Sequence, residues 1–191
     1  MANLTLASAT SKSSSVSSTS VILSQCLRGR FKTRVFSNNL TLTVSLDYNE
    51  PLPKVLERLK GEHRELAVKL FRIEQLAKSG DVKVIITELK VIKPLVLRHA
   101  VEEEARLMRP IMWEMKDRSE ESIIILRYHK NLVEFLDHKL VNLDKLPEPV
   151  ARREVAIFVK ELRKHHKEEE NTLFPLALKA DSLYEKRSPS T

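Results

Sequence analysis

Glycine is rare in this chain, occurring only at Gly29, Gly61 and Gly80. Long stretches of alternating apolar and polar residues are missing too. The two scarcities together exclude a sheet-built domain from the expectation and favour helices. Cysteine is rarer still. The single one, Cys26, lies near the start, so the body of the chain can form no disulfide and no thiolate-bound zinc or iron–sulfur centre. Acidic residues are absent from the first 46 positions, which carry the bases Lys12, Arg28, Arg30, Lys32 and Arg34. No apolar run approaches the ~20 residues that a membrane helix needs, so no membrane span is expected.

The acid-free stretch is rich in Ser and Thr from Thr10 to Ser20. Residues 1–46 therefore read as a disordered transit peptide, handled by organelle import machinery. A plain disordered tail is the alternative. The Met-Ala start and the lack of Arg before Arg28 resemble chloroplast presequences, whereas Arg34-Val35-Phe36-Ser37 resembles a mitochondrial processing site. The expected destination is the chloroplast, with the mitochondrion as alternative. Setting the leader aside lowers the net charge from +7 to +2 (33 − 5 = 28 bases against 26 acids). The basic balance then gives no reason to expect a nucleic-acid partner. The remaining 145 residues (191 − 46) suit one domain with a single core.

What is present, from 47 to 187, is a set of four amphipathic stripes with apolar residues at steps of three and four. The first helix is expected from Pro51 to Lys78, carrying Leu52, Leu59, Leu66 and Ile73. Ser79-Gly80-Asp81 should end it and cap the next. The second helix carries Ile85, Ile92 and Val96, with Pro94 inside it as an expected bend. Met108, Met112 and Met115 continue at helical spacing and suit core packing. Ser119 should cap a third helix, through Ile125, Leu132 and Leu140. Asp144 to Pro149 reads as a turn. The fourth helix carries Val155, Leu162 and Leu173, and residues 188–191 form a disordered tail. Short connections between four such helices predict an all-α, up-down-up-down antiparallel four-helix bundle.

Six polar residues interrupt those apolar stripes. His165 and Glu169, in ELRKHHKEEENTLFPL, lie one helical turn apart on the buried face. His99 and Glu103 repeat the phrase 66 residues earlier (165 − 99 = 66; 169 − 103 = 66). His63 and His129 share the same offset (129 − 63 = 66). The chain thus contains two copies of a helical hairpin, each with two histidines and one glutamate. His138 falls half a circumference from His129 and should be solvated. His166 could pair with Glu170, but the repeat and the stripe through Leu162 and Leu173 select His165 and Glu169. Glu102, Glu104, Glu168 and Glu170 are expected as surface charges or as acceptors behind the ligands.

An unpartnered buried carboxylate is costly, and a metal ion is the usual partner for carboxylate and imidazole together. Four imidazoles and two carboxylates exceed the four positions of a tetrahedral zinc. They suit two ions, each taking two histidines, with both glutamates able to bridge. Positions left open on such ions suit iron and its oxygen chemistry.

GEHREL, RHAVEEEARLMRP, the isolated His129 and KHHKEEENTLFPLAL together resemble the hemerythrin-like HHE cation-binding domain, over about residues 50 to 180. The most specific match is H-x-x-x-E-E-x-x-L-F-P at His165, Glu169, Glu170, Leu173, Phe174 and Pro175. The second-helix copy departs from it, with Met108-Arg109-Pro110 after Leu107. The resemblance implies a four-helix bundle around a non-haem, carboxylate-bridged pair of iron ions. Its ligands would be His63, His99, Glu103, His129, His165 and Glu169, with His63 and His99 on one iron and His129 and His165 on the other. Oxygen carriers of that family have a further histidine four residues beyond the third-helix one, where this chain has Val133. The set is similar to the four-His, two-Glu version of nitric-oxide-stress and cluster-repair proteins, and partly to iron-sensing domains. The expected function is binding or sensing of iron, oxygen or nitric oxide. The alternatives are a di-iron enzyme or iron donor in oxidative stress and cluster repair, and a metal-free helical interaction module.

Overall fold

The computed structural model describes residues 23–27, 30–37 and 40–187. From Leu52 onward the chain is helical, in four long rods. The first is α1, Leu52–Ser79. The second is α2, Val82–Glu103, running directly into a π-helical turn, Glu104–Met108, and then α3, Arg109–Glu114. A short 3-10 turn, Lys116–Arg118, leads to α4, Ser119–Glu134, which continues as a π turn, Phe135–Lys139, and a 3-10 segment, Leu140–Lys145. The fourth rod is α5, Glu148–Glu168, then a π turn, Glu169–Leu173, then α6, Phe174–Arg187. Among the described residues no helix is long and apolar enough to cross a membrane.

All four stripes are buried, and they build two apolar clusters rather than one. Leu66, Leu70, Leu89, Val96, Leu132 and Leu162 belong to the first. Leu52, Leu59, Leu107, Ile125, Leu173 and Phe174 belong to the second. Each rod passes from one cluster to the other, and the polar residues picked out by the repeat lie between the two on every rod. α1 and α4 start in the second cluster, while α2 and α5 start in the first.

Several local expectations change. Asp81 caps α2 as its sequence suggests, accepting from the Lys83 N–H at 2.8 Å. Gly80 ends α1 with φ −84°, not in a left-handed conformation. Glycine is favoured there by closeness, since a Cβ would sit 2.8 Å from the Leu76 carbonyl oxygen. Ser119 is not a cap. Its hydroxyl donates back to the Lys116 carbonyl at 2.9 Å. Pro149 lies in the first turn of α5 rather than in the loop, where its missing N–H breaks no helical bond. Pro94 sits inside α2 without ending it. Met108 and Met115 are buried, but Met112 is exposed.

Ahead of the bundle, Leu23–Leu27, Arg30–Ser37 and Leu40–Asp47 form strands β1, β2 and β3 of an antiparallel sheet in the order β1-β2-β3. Leu23 pairs with Arg34, and Ser37 with Leu40. The leader expected to be disordered over 1–46 therefore includes paired strands, and its positions 1–22 lie outside the described residues, as does the tail at 188–191. The reason is legible in Leu40-Thr41-Leu42-Thr43-Val44-Ser45-Leu46, a period-two run rich in β-branched residues. Leu46, placed in the leader by its composition, packs on Val101 and Ala105 of the second rod. The Arg106 guanidinium fastens this junction by donating to the carbonyls of Asp47 and Glu50.

Candidate metal centre

The polar layer between the two apolar clusters contains all six residues that the sequence singles out. His63 comes from α1, His99 and Glu103 from the last turn of α2, His129 from α4, and His165 and Glu169 from the junction of α5 with its π turn. Each imidazole is 2–4% exposed, and both carboxylates are fully buried. Two π turns begin at or just beyond the glutamates, at Glu104 and Glu169. Such wide turns recur where a helix carries a functional side chain.

Two groups of ligand atoms form. One is His63, His99, His166 and Glu169; the other is Glu103, His129, His165 and Glu169. Glu169 belongs to both, and Glu103, a member of the second, also approaches His99 of the first. Glu103 turns Oε1 to His99 Nε2 at 3.3 Å and Oε2 to His129 Nε2 at 3.4 Å. Glu169 turns Oε2 to His63 Nε2 at 3.3 Å and Oε1 to His129 Nε2 at 3.4 Å and His165 Nε2 at 2.8 Å. His63 and His99 bring their Nε2 atoms to 2.9 Å. Neighbouring ligand atoms on an ion with bonds of ~2.1 Å at right angles lie roughly 3.0 Å apart. The atoms are therefore spaced as donors around a metal ion are.

Hydrogen bonding supports the same reading. In this layer both oxygens of Glu103, both oxygens of Glu169, His129 Nε2 and His165 Nδ1 are buried with no hydrogen-bond partner. Even the 2.8 Å approach of His165 to Glu169 is not aligned as a hydrogen bond. The four carboxylate oxygens and His129 Nε2 lie close to one another without pairing, as donors left for an ion do. Clustered buried polar atoms without partners need such an explanation.

Three imidazoles are held from behind. The Nδ1–H of His63 donates to Glu170 at 2.8 Å, that of His99 to Glu62 at 2.9 Å, and that of His129 to Glu104 at 3.0 Å. Each carboxylate fixes its ring so that Nε2 turns inward, an arrangement that orients and strengthens a metal-binding histidine. Glu104 and Glu170 thus act behind the ligands. Glu102 instead accepts a two-pronged pair of bonds from Arg58, both at 2.7 Å. Glu168 is a surface partner of Lys164. Glu62, braced by Arg98 at 2.6 Å, has no signal in the repeat, because position 128 (62 + 66) is Tyr128.

The electrostatics follow from crowding carboxylates against imidazoles. Burial works against charge on His99, yet Glu103 and Glu62 raise it to about 10. Against the same penalty, Glu103, Glu104 and Glu169 raise His129 well above the ordinary range. Burial opposes ionisation of Glu169 too, but His165, His129 and His63 hold it well below the usual carboxylate range. Burial also opposes the charge of Glu62, which His99 and Arg98 bring down to about 2.

His166 needs correction. The repeat sets it aside in favour of His165, but both are buried, and His166 joins the first ligand group. Its burial, and then the charge of His63, lower it to about 2, so it is a neutral imidazole. His138 is exposed beside Glu134, as its position on the helix predicts. Val133 packs against the first apolar cluster. The arrangement is a buried His/Glu site in a helical bundle that can hold metal ions. No protein-family model matches the chain, and no curated protein or solved structure matches it.

Proposed function

We propose that the chain is a hemerythrin-like, non-haem di-iron protein that binds or senses a diatomic ligand, oxygen or nitric oxide. One observation carries the reading: Glu103 and Glu169 each turn one oxygen to the first histidine pair and the other to the second. A lone ion would use only half of that donor set. The donors are all imidazole and carboxylate, with no thiolate, which favours iron over a structural zinc. An up-down-up-down course for the rods is part of the proposal, supported by the alternating order in which they meet the two apolar clusters.

A pair of ferrous ions would supply oxidisable centres with positions free for a small ligand. The protein's own part is to hold the Nε2 atoms of His63, His99 and His129 inward through the carboxylates behind them, and to keep bulk water out with apolar layers on either side. Protein purified anaerobically from iron-replete cells is expected to contain two iron atoms per chain. After oxidation it should show the near-ultraviolet charge-transfer bands of a coupled ferric pair. One tightly held zinc and no iron would overturn the reading.

A further inference from the structure

The outward face of α1 carries a pattern of its own. Glu57, Gly61, Arg64, Val68, Phe71, Gln75 and Lys78 follow one another at steps of four and three, on the side opposite the buried stripe. Gly61 is half-buried and the others are exposed. Val68 is 72% exposed and Phe71 58%. Steps of four and three in alternation are those of a seam along which two helices pack.

Gly61 is an independent observation. Glycine weakens a helix interior, and the chain itself does not call for one here. A Cβ at Gly61 would meet only the Arg64 guanidinium, at 3.7 Å, an ordinary contact. On an outward face, a missing side chain lets a second backbone come close.

We infer that this face of α1 binds the same face of a second copy of the chain, in an antiparallel two-fold dimer. In such a contact residue i meets j and j meets i. An axis at Val68 sets Val68 on itself, Arg64 against Phe71 of the second copy, Gly61 against its Gln75 and Glu57 against its Lys78. Each unlike pair occurs twice. Arg64 against Phe71 brings a guanidinium to an exposed aromatic ring, a favourable contact. Glu57 and Lys78 are opposite charges. Along the two edges of the seam, Lys60 meets Glu74 of the second copy and Glu65 meets its Arg72. Glu74 and Arg72 also hold Arg163 and Glu88 of their own chain, at 2.8 and 2.9 Å, so they would be shared. Parallel pairing would instead set Glu57 on Glu57, Arg64 on Arg64 and Lys78 on Lys78, and like charges oppose it. The face therefore fits itself in one direction. One helix face per copy is a small contact, so the dimer is weak, with Kd on the order of 10 μM to 1 mM. The seam lies across α1 from His63, and the inference does not depend on metal.

The test is sedimentation velocity of the full chain from about 10 μM to 1 mM, with thermal melts to show that each variant folds. Wild-type protein should pass reversibly from monomer to dimer. Val68→Glu sets two carboxylates against each other on the axis and should weaken association at least about ten-fold. Glu57→Lys and Lys78→Glu should each weaken self-association at least about three-fold. Mixing those two variants should recover the wild-type affinity, because both contacts of the mixed pair again join opposite charges. If Val68→Glu does not fold, the two charge variants carry the test. A wild-type chain that stays monomeric at about 1 mM overturns the inference. So does a dimer that all three substitutions leave unchanged, since its contact lies elsewhere. A mixture that associates no more tightly than its components overturns the antiparallel pairing.

Discussion

In the metal-free protein His99 is charged, raised to about 10, whereas His166 is neutral, lowered to about 2; both start from 6.5 when unfolded. The two therefore act on opposite sides of pH 6.5. A raised histidine adds stability that is complete below 6.5 and lost as pH rises through about 10, because the folded state holds the proton longer. His129, raised in the same direction, adds to the loss on the alkaline side. A lowered histidine does the reverse: below 6.5 the unfolded chain takes the proton first, so stability falls as pH falls. Glu169 and Glu62, lowered from 4.5, add further loss in acid. Metal-free protein is thus expected to melt highest near pH 6.5 and lower on either side, as checked by thermal melts in chelator from pH 4 to 10. The same protons must leave when metal arrives, since Nε2 cannot hold a proton and an ion together. Loading at pH 7 should release about two protons per chain, one from His99 and one from His129. Calorimetry in buffers of different ionisation enthalpy measures this. Metal uptake with no proton release would show that the site is neutral when empty.

At the scale of elements, the junction between α1 and α2 is the place where local chemistry was most legible. Gly80→Ala would press a Cβ against the Leu76 backbone, with contacts of 2.8 Å to its carbonyl oxygen and 3.0 Å to its Cα. Neither atom can move without disturbing the end of α1. The substitution should cost more than about 1 kcal/mol. Asp81→Ala removes the bond to the Lys83 N–H and should cost about 1 kcal/mol. Urea titrations of both variants check this, and a Gly80→Ala protein as stable as the parent would contradict the close approach. Helix positions and buried faces could be read because every stripe keeps its three-and-four spacing through the core. The π turns could not. A wide turn of five residues, as at Glu104–Met108, leaves the next apolar residue, Leu107, still buried. β3 was legible in its alternation but was outweighed by the composition around it. The six symmetric residues of the polar layer were legible because they repeat. His166 and Glu62 were hidden by the same repeat, whose other copy has Ala100 and Tyr128.

At the scale of the whole molecule, a polar layer divides the core in two. The apolar clusters above and below it share no buried side chain, and each of the four rods crosses from one to the other through the layer. Without metal, the layer holds six buried atoms lacking hydrogen-bond partners, and each such atom costs on the order of 1–3 kcal/mol. Ion pairs such as His129–Glu103 and His63–Glu169 recover only part of that, at 3.3–3.4 Å. Two metal ions bound there would satisfy five of the six, all but His165 Nδ1, and would tie all four rods at one level. Because the unfolded chain presents no such cluster, binding stabilises the folded state by mass action, about 2.7 kcal/mol for one site at a hundred-fold excess over Kd. For a bundle of this size, each kcal/mol raises the melting temperature by roughly 2–4 °C or more. Iron-loaded protein at pH 7 should therefore melt at least about 5 °C above chelated protein. His165→Ala should lose much of that difference, because it removes a ligand from the second position. Differential scanning calorimetry of loaded and chelated wild type, with the variant alongside, is the measurement. Equal melting temperatures for the loaded and chelated wild type would mean that the layer is held by its own ion pairs and needs no metal.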